Sequence, residues 1–70
     1  MLKWITVEST AIVAIGYLNQ TLYIHFKETN KKYKYFHVPH TIFIDFLKAY
    51  SKGRYFNKVI VNNYEYEEME

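Results

Sequence analysis

Lys32-Lys-Tyr-Lys-Tyr-Phe-His-Val-Pro39 is where the chain changes period. Up to Val38 the residues alternate, Tyr33, Tyr35 and His37 opposite Lys34, Phe36 and Val38, which is the two-residue repeat of a strand. Pro39 ends that strand: it has no N–H to donate, it restricts Val38 to extended geometry, and it opens a helix where its missing donor is not needed. From His40 the spacing turns helical. Ile42, Phe43, Phe46, Leu47 and Tyr50 form one wide apolar face, leaving Thr41, Asp45 and Lys48 toward water. Such a helix is expected to cover one face of a sheet.

Upstream, Leu22-Tyr-Ile-His-Phe-Lys27 alternates again, with Leu22, Ile24 and Phe26 on one face and Tyr23, His25 and Lys27 on the other. Before it, Ile12-Val-Ala-Ile-Gly-Tyr17 reads as a strand of mostly buried residues. The connections Leu18-Asn-Gln-Thr21 and Glu28-Thr-Asn-Lys31 are short, so the three strands form an antiparallel meander. Downstream, Ser51 is a good N-cap for a second helix over Lys52 to Ile60, with apolar positions at Tyr55, Phe56, Val59 and Ile60. Asn62-Asn63 stops it, and Tyr64-Glu-Tyr66 leaves room for a short C-terminal edge strand. The expected fold is α+β: a three-stranded antiparallel meander, then one or two helices packed on the sheet. The domain spans residues 9–66 and residues 67–70 form an acidic, frayed tail. Residues 1–8, with Trp4, Ile5 and Val7, form either an added strand or an arm reaching another subunit.

Seventy residues make one domain, and a chain this short buries only about 60% of its unfolded surface. It contains no cysteine, which removes disulfides and thiolate metal sites and fits a reducing, cytoplasmic setting. One residue in five is aromatic, far too rich in core formers for a disordered chain, and self-association is an expected source of added stability. No apolar run is long enough for a membrane span or a signal peptide. The formal charge of +2 hides an asymmetry: residues 1–63 carry all nine Lys and Arg against Glu8, Glu28 and Asp45, and the other four acids follow. A basic body favours an anionic partner, although the same pattern also serves solubility.

Two stretches set cations beside aromatics. Ser51-Lys-Gly-Arg54 offers an anion a helix start, a glycine that permits close backbone approach, and the charges of Lys52 and Arg54. The plainer reading is that Ser51 caps, Gly53 packs against the first helix, and both cations are solvated. The glycine spacing and preceding strand of a phosphate-binding P-loop are absent. Tyr33 and Tyr35 lie two apart on one strand face, where aromatics stack successive bases, with Lys31, Lys32 and Lys34 near the phosphates. If they face the helices instead, they are core, and stacking is excluded. Tyr55 is a further stacking candidate and Asn57 closes the set. His25, His37 and His40 invite a metal reading, but Pro39 separates the last two and no Cys or placed carboxylate completes four ligands. Nothing pairs a nucleophile with an oriented base, so no catalytic residue, metal or cofactor is expected.

A Ser-Thr pair at residues 9–10, Tyr17 after Gly16, Leu22-x-Ile-x-Phe26, Tyr33-x-Tyr-Phe-x-Val-Pro39, Ser51-x-Gly-x-Tyr-Phe-Asn57 and Tyr64-x-Tyr66 follow one another in this order. In this conjunction the chain resembles the KTSC domain family, the short module named after the C-terminal extension of some lysyl-tRNA synthetases. Glu65 stands where family members usually show Pro, and Val61-Asn62-Asn63 lacks a basic residue often seen after the Ile. Attachment to a synthetase implies a non-enzymatic module that binds RNA or a nucleotide. Here that function falls to Lys32, Tyr33, Lys34, Tyr35, Ser51, Lys52, Gly53, Arg54, Tyr55 and Asn57. KTSC-like domains also stand alone in bacterial and phage genomes. The competing expectation is therefore a protein-interaction or assembly module, with Trp4, Tyr17, Tyr23 and Phe36 forming a partner or homo-oligomer surface. Such a module suits a small accessory protein that sequesters a host nucleotide or blocks a host protein.

Overall fold

A computed structural model describes residues 1–69. Five strands, β1 (Trp4–Thr6), β2 (Ile12–Leu18), β3 (Thr21–Phe26), β4 (Lys32–Tyr35) and β5 (Tyr66–Glu68), form one antiparallel sheet in the order β1-β2-β3-β4-β5. Between β4 and β5 the chain makes α1 (His40–Lys48) and α2 (Lys52–Tyr55), and α2 runs on into a π-helical segment, Phe56–Ile60. The expected central meander is present, and the sheet is wider by a strand at each edge. Residues 1–8 are no free arm: Trp4, Ile5 and Thr6 pair with Gly16, Ile15 and Ala14 of the same chain. The terminal strand begins at Tyr66 rather than Tyr64. Glu67 and Glu68, expected in a frayed tail, pair with Lys34 and Tyr33, and Glu70 lies outside the described residues.

Alternation decides which side chains enter the core. Leu22 and Ile24 of β3 are fully buried on the helix-covered face, where Tyr35 of β4 joins them. In β2 a strict two-residue period would not put both Ile12 and Ile15 inside. A register shift between Ile12 and Ala14 inserts one residue, so Ile12 pairs with Phe26 and Ile15 with Ile24, and both isoleucines are fully buried. Phe43 and Phe46 of α1, Val38 and Ile60 close the core from the helical side. Each such side chain contributes about 1.5–3 kcal/mol by leaving water. Tyr50, expected on the α1 apolar face, is not part of it: the helix ends at Lys48, and Tyr50 is fully exposed.

Asn19 and Gln20, both with positive φ (52° and 60°), make the two-residue turn joining β2 to β3, a geometry suited to the twist of the strands. The entry to α1 is tied to that turn. Val38 N–H donates to the Gln20 carbonyl, and the Tyr17 hydroxyl donates to the Val38 carbonyl at 2.6 Å. At the far end Ser51 accepts from Arg54 N–H, as an N-cap should. The π turn is marked by Val61 N–H donating to the Phe56 carbonyl, five residues back.

The helices cover one face of the sheet only. On the other, Trp4 of β1 reaches across β2 to Tyr23 and His25 of β3, at ring distances of 6.2 and 6.3 Å. The β2 residues between them are the small Ala14 and Gly16. A Cβ on Gly16 would stand 2.9 Å from Leu2 Cδ1 and 3.3 Å from the Lys3 carbonyl oxygen. Gly16→Ala is therefore expected to lower stability by about 1–2 kcal/mol in urea unfolding. Adding Leu2→Ala should recover part of that loss, because the side-chain clash goes and the contact with the Lys3 carbonyl stays. Strict additivity of the two losses would contradict the contact.

Candidate functional site

The two basic stretches do not meet. Lys32 and Lys34 point to the helix-free face of the sheet, while the Ser51 to Asn57 stretch lies on the helical side. Lys34 of β4 lies 3.8 Å from Glu67, and Lys31, just before the strand, 3.9 Å from Glu68, whereas Lys32 is in neither pair. These exposed pairs add little stability. Their effect is to weaken the positive field that a phosphate chain along β4 would need, leaving Lys32 as its uncompensated charge among the described residues.

Tyr33 and Tyr35 do face the helices. Tyr35 is 4% exposed, with its ring edge-on to Phe56 at 5.7 Å, so no base can stack on it. Tyr33 is half-buried against Phe26 and Tyr66. The expected two-tyrosine platform is thus replaced by core packing, because a small sheet covered on one side needs its largest rings there. Burial pushes the Tyr35 hydroxyl up to about 12, helped by the neighbouring Tyr66 and Tyr33 hydroxyls. Burial also raises Tyr17, and burial with Asp45 and Tyr64 raises Tyr55. A raised tyrosine binds its proton more tightly when folded, so its contribution is complete below the unfolded pKa near 10 and is lost as pH rises through the folded value. Denaturant unfolding should therefore show constant stability up to about pH 9.5 and a decline towards pH 12. Tyr35→Phe should flatten that decline.

In the second stretch each residue has a definite place. The Ser51 hydroxyl is occupied by Arg54 N–H at 3.2 Å, and the Lys52 ammonium donates to the Ala49 carbonyl at 2.6 Å, fastening the end of α1. Gly53 packs beside Ala11 of the β1–β2 connection rather than against α1, and an added Cβ would meet the Ala11 Cβ at 3.4 Å, an ordinary contact. Asn57 is exposed. Arg54 is exposed too, and with Tyr50, Ser51, Tyr55 and Lys58 it lines a shallow depression of about 240 Å³. Tyr55 stacks on Phe46 at 5.4 Å and donates its hydroxyl to the Ile42 carbonyl, so one ring face is spent on packing.

Tyr50 and Lys58 are the residues that sequence reasoning missed. Tyr50 fitted the helical spacing of α1, but Ala49 turns extended and leaves it outside. Lys58 follows Arg54 by four positions, the separation that puts two helical side chains on one face, and that spacing was the available signal. No carboxylate or imidazole lines the depression, and among the described residues neither Arg54 nor Lys58 has an ion-pair partner. Two cations and an exposed ring around a small concavity can hold an anion carrying a planar group.

A larger cleft of about 580 Å³ opens elsewhere, beside Phe26, Tyr33 and Tyr66, and has no cation in its lining. On the helix-free face Trp4, Tyr23 and His25 cluster, and Phe36 lies beneath the Lys34 ammonium, 5.9 Å from ring centre to nitrogen. Tyr17, expected with them, is on the opposite side, stacked on Phe43 at 4.9 Å. His25 contacts the Asn30 side chain, His37 and His40 are exposed, and His40 packs edge-on to Tyr17. No three His, Asp or Glu residues gather into a metal-ligand group among the described residues, and no helix among them is long and apolar enough to cross a membrane.

A search of curated proteins returned no match. Among solved structures, the crystal structure of a KTSC domain protein from Yersinia pestis is similar over 100% of both chains, at 33% identity and a TM-score of 0.95. The sequence model of the KTSC domain matches residues 8–64, and a match over most of the length, with the same fold throughout, places this chain in the KTSC domain family.

Proposed function

We propose that this KTSC domain is a non-enzymatic binding module for a nucleotide or for the phosphates of a single-stranded RNA, held at the Tyr50, Ser51, Arg54, Tyr55, Lys58 depression. The observation that carries the reading is the contrast among its cations. Lys31 and Lys34 are offset by acids, Lys27 and Lys52 donate to backbone carbonyls, and Lys3, Lys32 and Lys48 line neither the depression nor the larger cleft. Arg54 and Lys58 instead converge on one concavity beside a fully exposed tyrosine. Arg54 grips phosphate oxygens with its planar fork, Lys58 adds a point charge, and Tyr50 lies against the base. With the Ser51 hydroxyl used as a cap and no acid or imidazole beside it, the depression lacks the proton acceptor a nucleophile requires.

Heteronuclear NMR titration with mononucleotides and a short single-stranded RNA tests this. Shifts centred on residues 49–58 are expected; their absence with every ligand overturns the reading. A second reading rests on the half-buried aromatic cluster of Trp4, Tyr23 and His25 on the helix-free sheet face, a surface suited to a protein partner or a second copy. Shifts confined to that face on dilution would favour it.

A further inference from the structure

The large cleft is built unlike the rest of this basic chain. Four rings, Phe26, Tyr33, Tyr35 and Tyr66, line it, and Phe56 behind them closes a circuit: Phe26 to Tyr33 at 5.7 Å, Tyr33 to Tyr66 at 5.8 Å, Tyr66 to Tyr35 at 5.4 Å, Tyr35 to Phe56 at 5.7 Å, and Phe56 back to Phe26 at 5.2 Å. Four of these pairs meet at 60–79°, and only Tyr35 and Tyr66 approach parallel, at 31°. Steeply inclined rings make walls. A compact cation, unlike a planar base, does not need a flat exposed ring to stack on and is attracted by any aromatic wall it meets.

The charge agrees with the shape. The nine Lys and Arg of the chain contribute nothing to the lining, and its single ionisable acid is Glu28, exposed at the rim. Glu28 takes part in neither ion pair seen among the described residues. Tyr66 is 59% exposed, so the aromatic wall on the β5 side is open to an entering group.

We propose that this cleft is a second binding site, for an alkylammonium group, in which Phe26, Tyr33 and Tyr66 form the aromatic wall and Glu28 supplies the counter-charge. The group is the head of a free organic amine or the end of a lysine side chain on a partner. The site is independent of the Arg54 and Lys58 depression, which takes the opposite charge.

The test is an NMR titration with choline and with its neutral isostere 3,3-dimethylbutan-1-ol. Choline is expected to shift the amides of Phe26, Thr29, Tyr33 and Tyr66 and to bind about tenfold more tightly than the isostere. Glu28→Gln should weaken choline severalfold and leave the isostere unchanged; the residue is exposed, so folding is unaffected. Tyr66→Ala should weaken choline as well. A lysine-containing capped dipeptide that outcompetes choline assigns the site to a partner's side chain, and the reverse order assigns it to a free amine. Equal affinity for choline and the isostere, no shift at these residues, or choline binding indifferent to Glu28→Gln overturns the proposal.

Discussion

Phe46→Ala is expected to lower unfolding free energy by about 3–5 kcal/mol, the usual cost of emptying a phenylalanine site in a core. Phe46 is fully buried in α1 and stacks on Tyr55, so its ring joins α1 to α2 as well as to the sheet. A domain of this length has roughly 4–10 kcal/mol in total. The variant should thus be partly unfolded without denaturant, visible as lost helical circular dichroism and a lower urea midpoint. Phe46→Leu, which keeps most of the volume, should cost about 1–1.5 kcal/mol. A loss below about 1 kcal/mol for Phe46→Ala would mean that α1 does not pack as described.

The second large effect concerns binding. Arg54→Ala with Lys58→Ala is expected to weaken nucleotide or RNA binding by on the order of a hundredfold, since each charge-assisted contact to phosphate is worth about 1.5 kcal/mol, the low end of the usual range, at an exposed site. Both side chains are exposed and have no ion-pair partner among the described residues, so stability should change by less than about 0.5 kcal/mol. Lys32→Ala with Lys34→Ala is the matched control. It removes the same charge, but on the opposite side of the sheet and partly offset by Glu67, and should weaken binding only a few fold. Equal losses from the two double variants would show that the ligand senses net charge rather than a site.

The central fold was legible because β3, β4 and α1 keep clean periods: Leu22 and Ile24 inward, Tyr23 and His25 outward, then Phe43 and Phe46 at helical spacing. What periodicity cannot carry is pairing. Trp4–Thr6 and Tyr66–Glu68 are three residues long, too short to show alternation, and become strands only because β2 and β4 offer them free edges. The bulge after Ile12 was hidden for the opposite reason, since a run of apolar residues reads alike in either register.

The site was legible in part. Ser51, Arg54 and Tyr55 stand together as expected. The face of Tyr33 and Tyr35 could not be read from alternation alone, because β4 carries Lys32 and Lys34 on one side and tyrosines on the other, and both sides looked able to bind. The neutralisation of Lys31 and Lys34 depends on β5 arriving beside β4 with its glutamates in register. That is a tertiary fact with no local signature.

The most direct test of the anion-binding claim is the affinity of a short single-stranded RNA measured from low to moderate salt, for the native chain and the Arg54→Ala, Lys58→Ala variant. Two phosphates neutralised on a single strand predict a slope of log K against log salt of about −1.4, falling towards zero in the variant. A slope near zero in the native chain, or one that the variant leaves unchanged, would contradict the account.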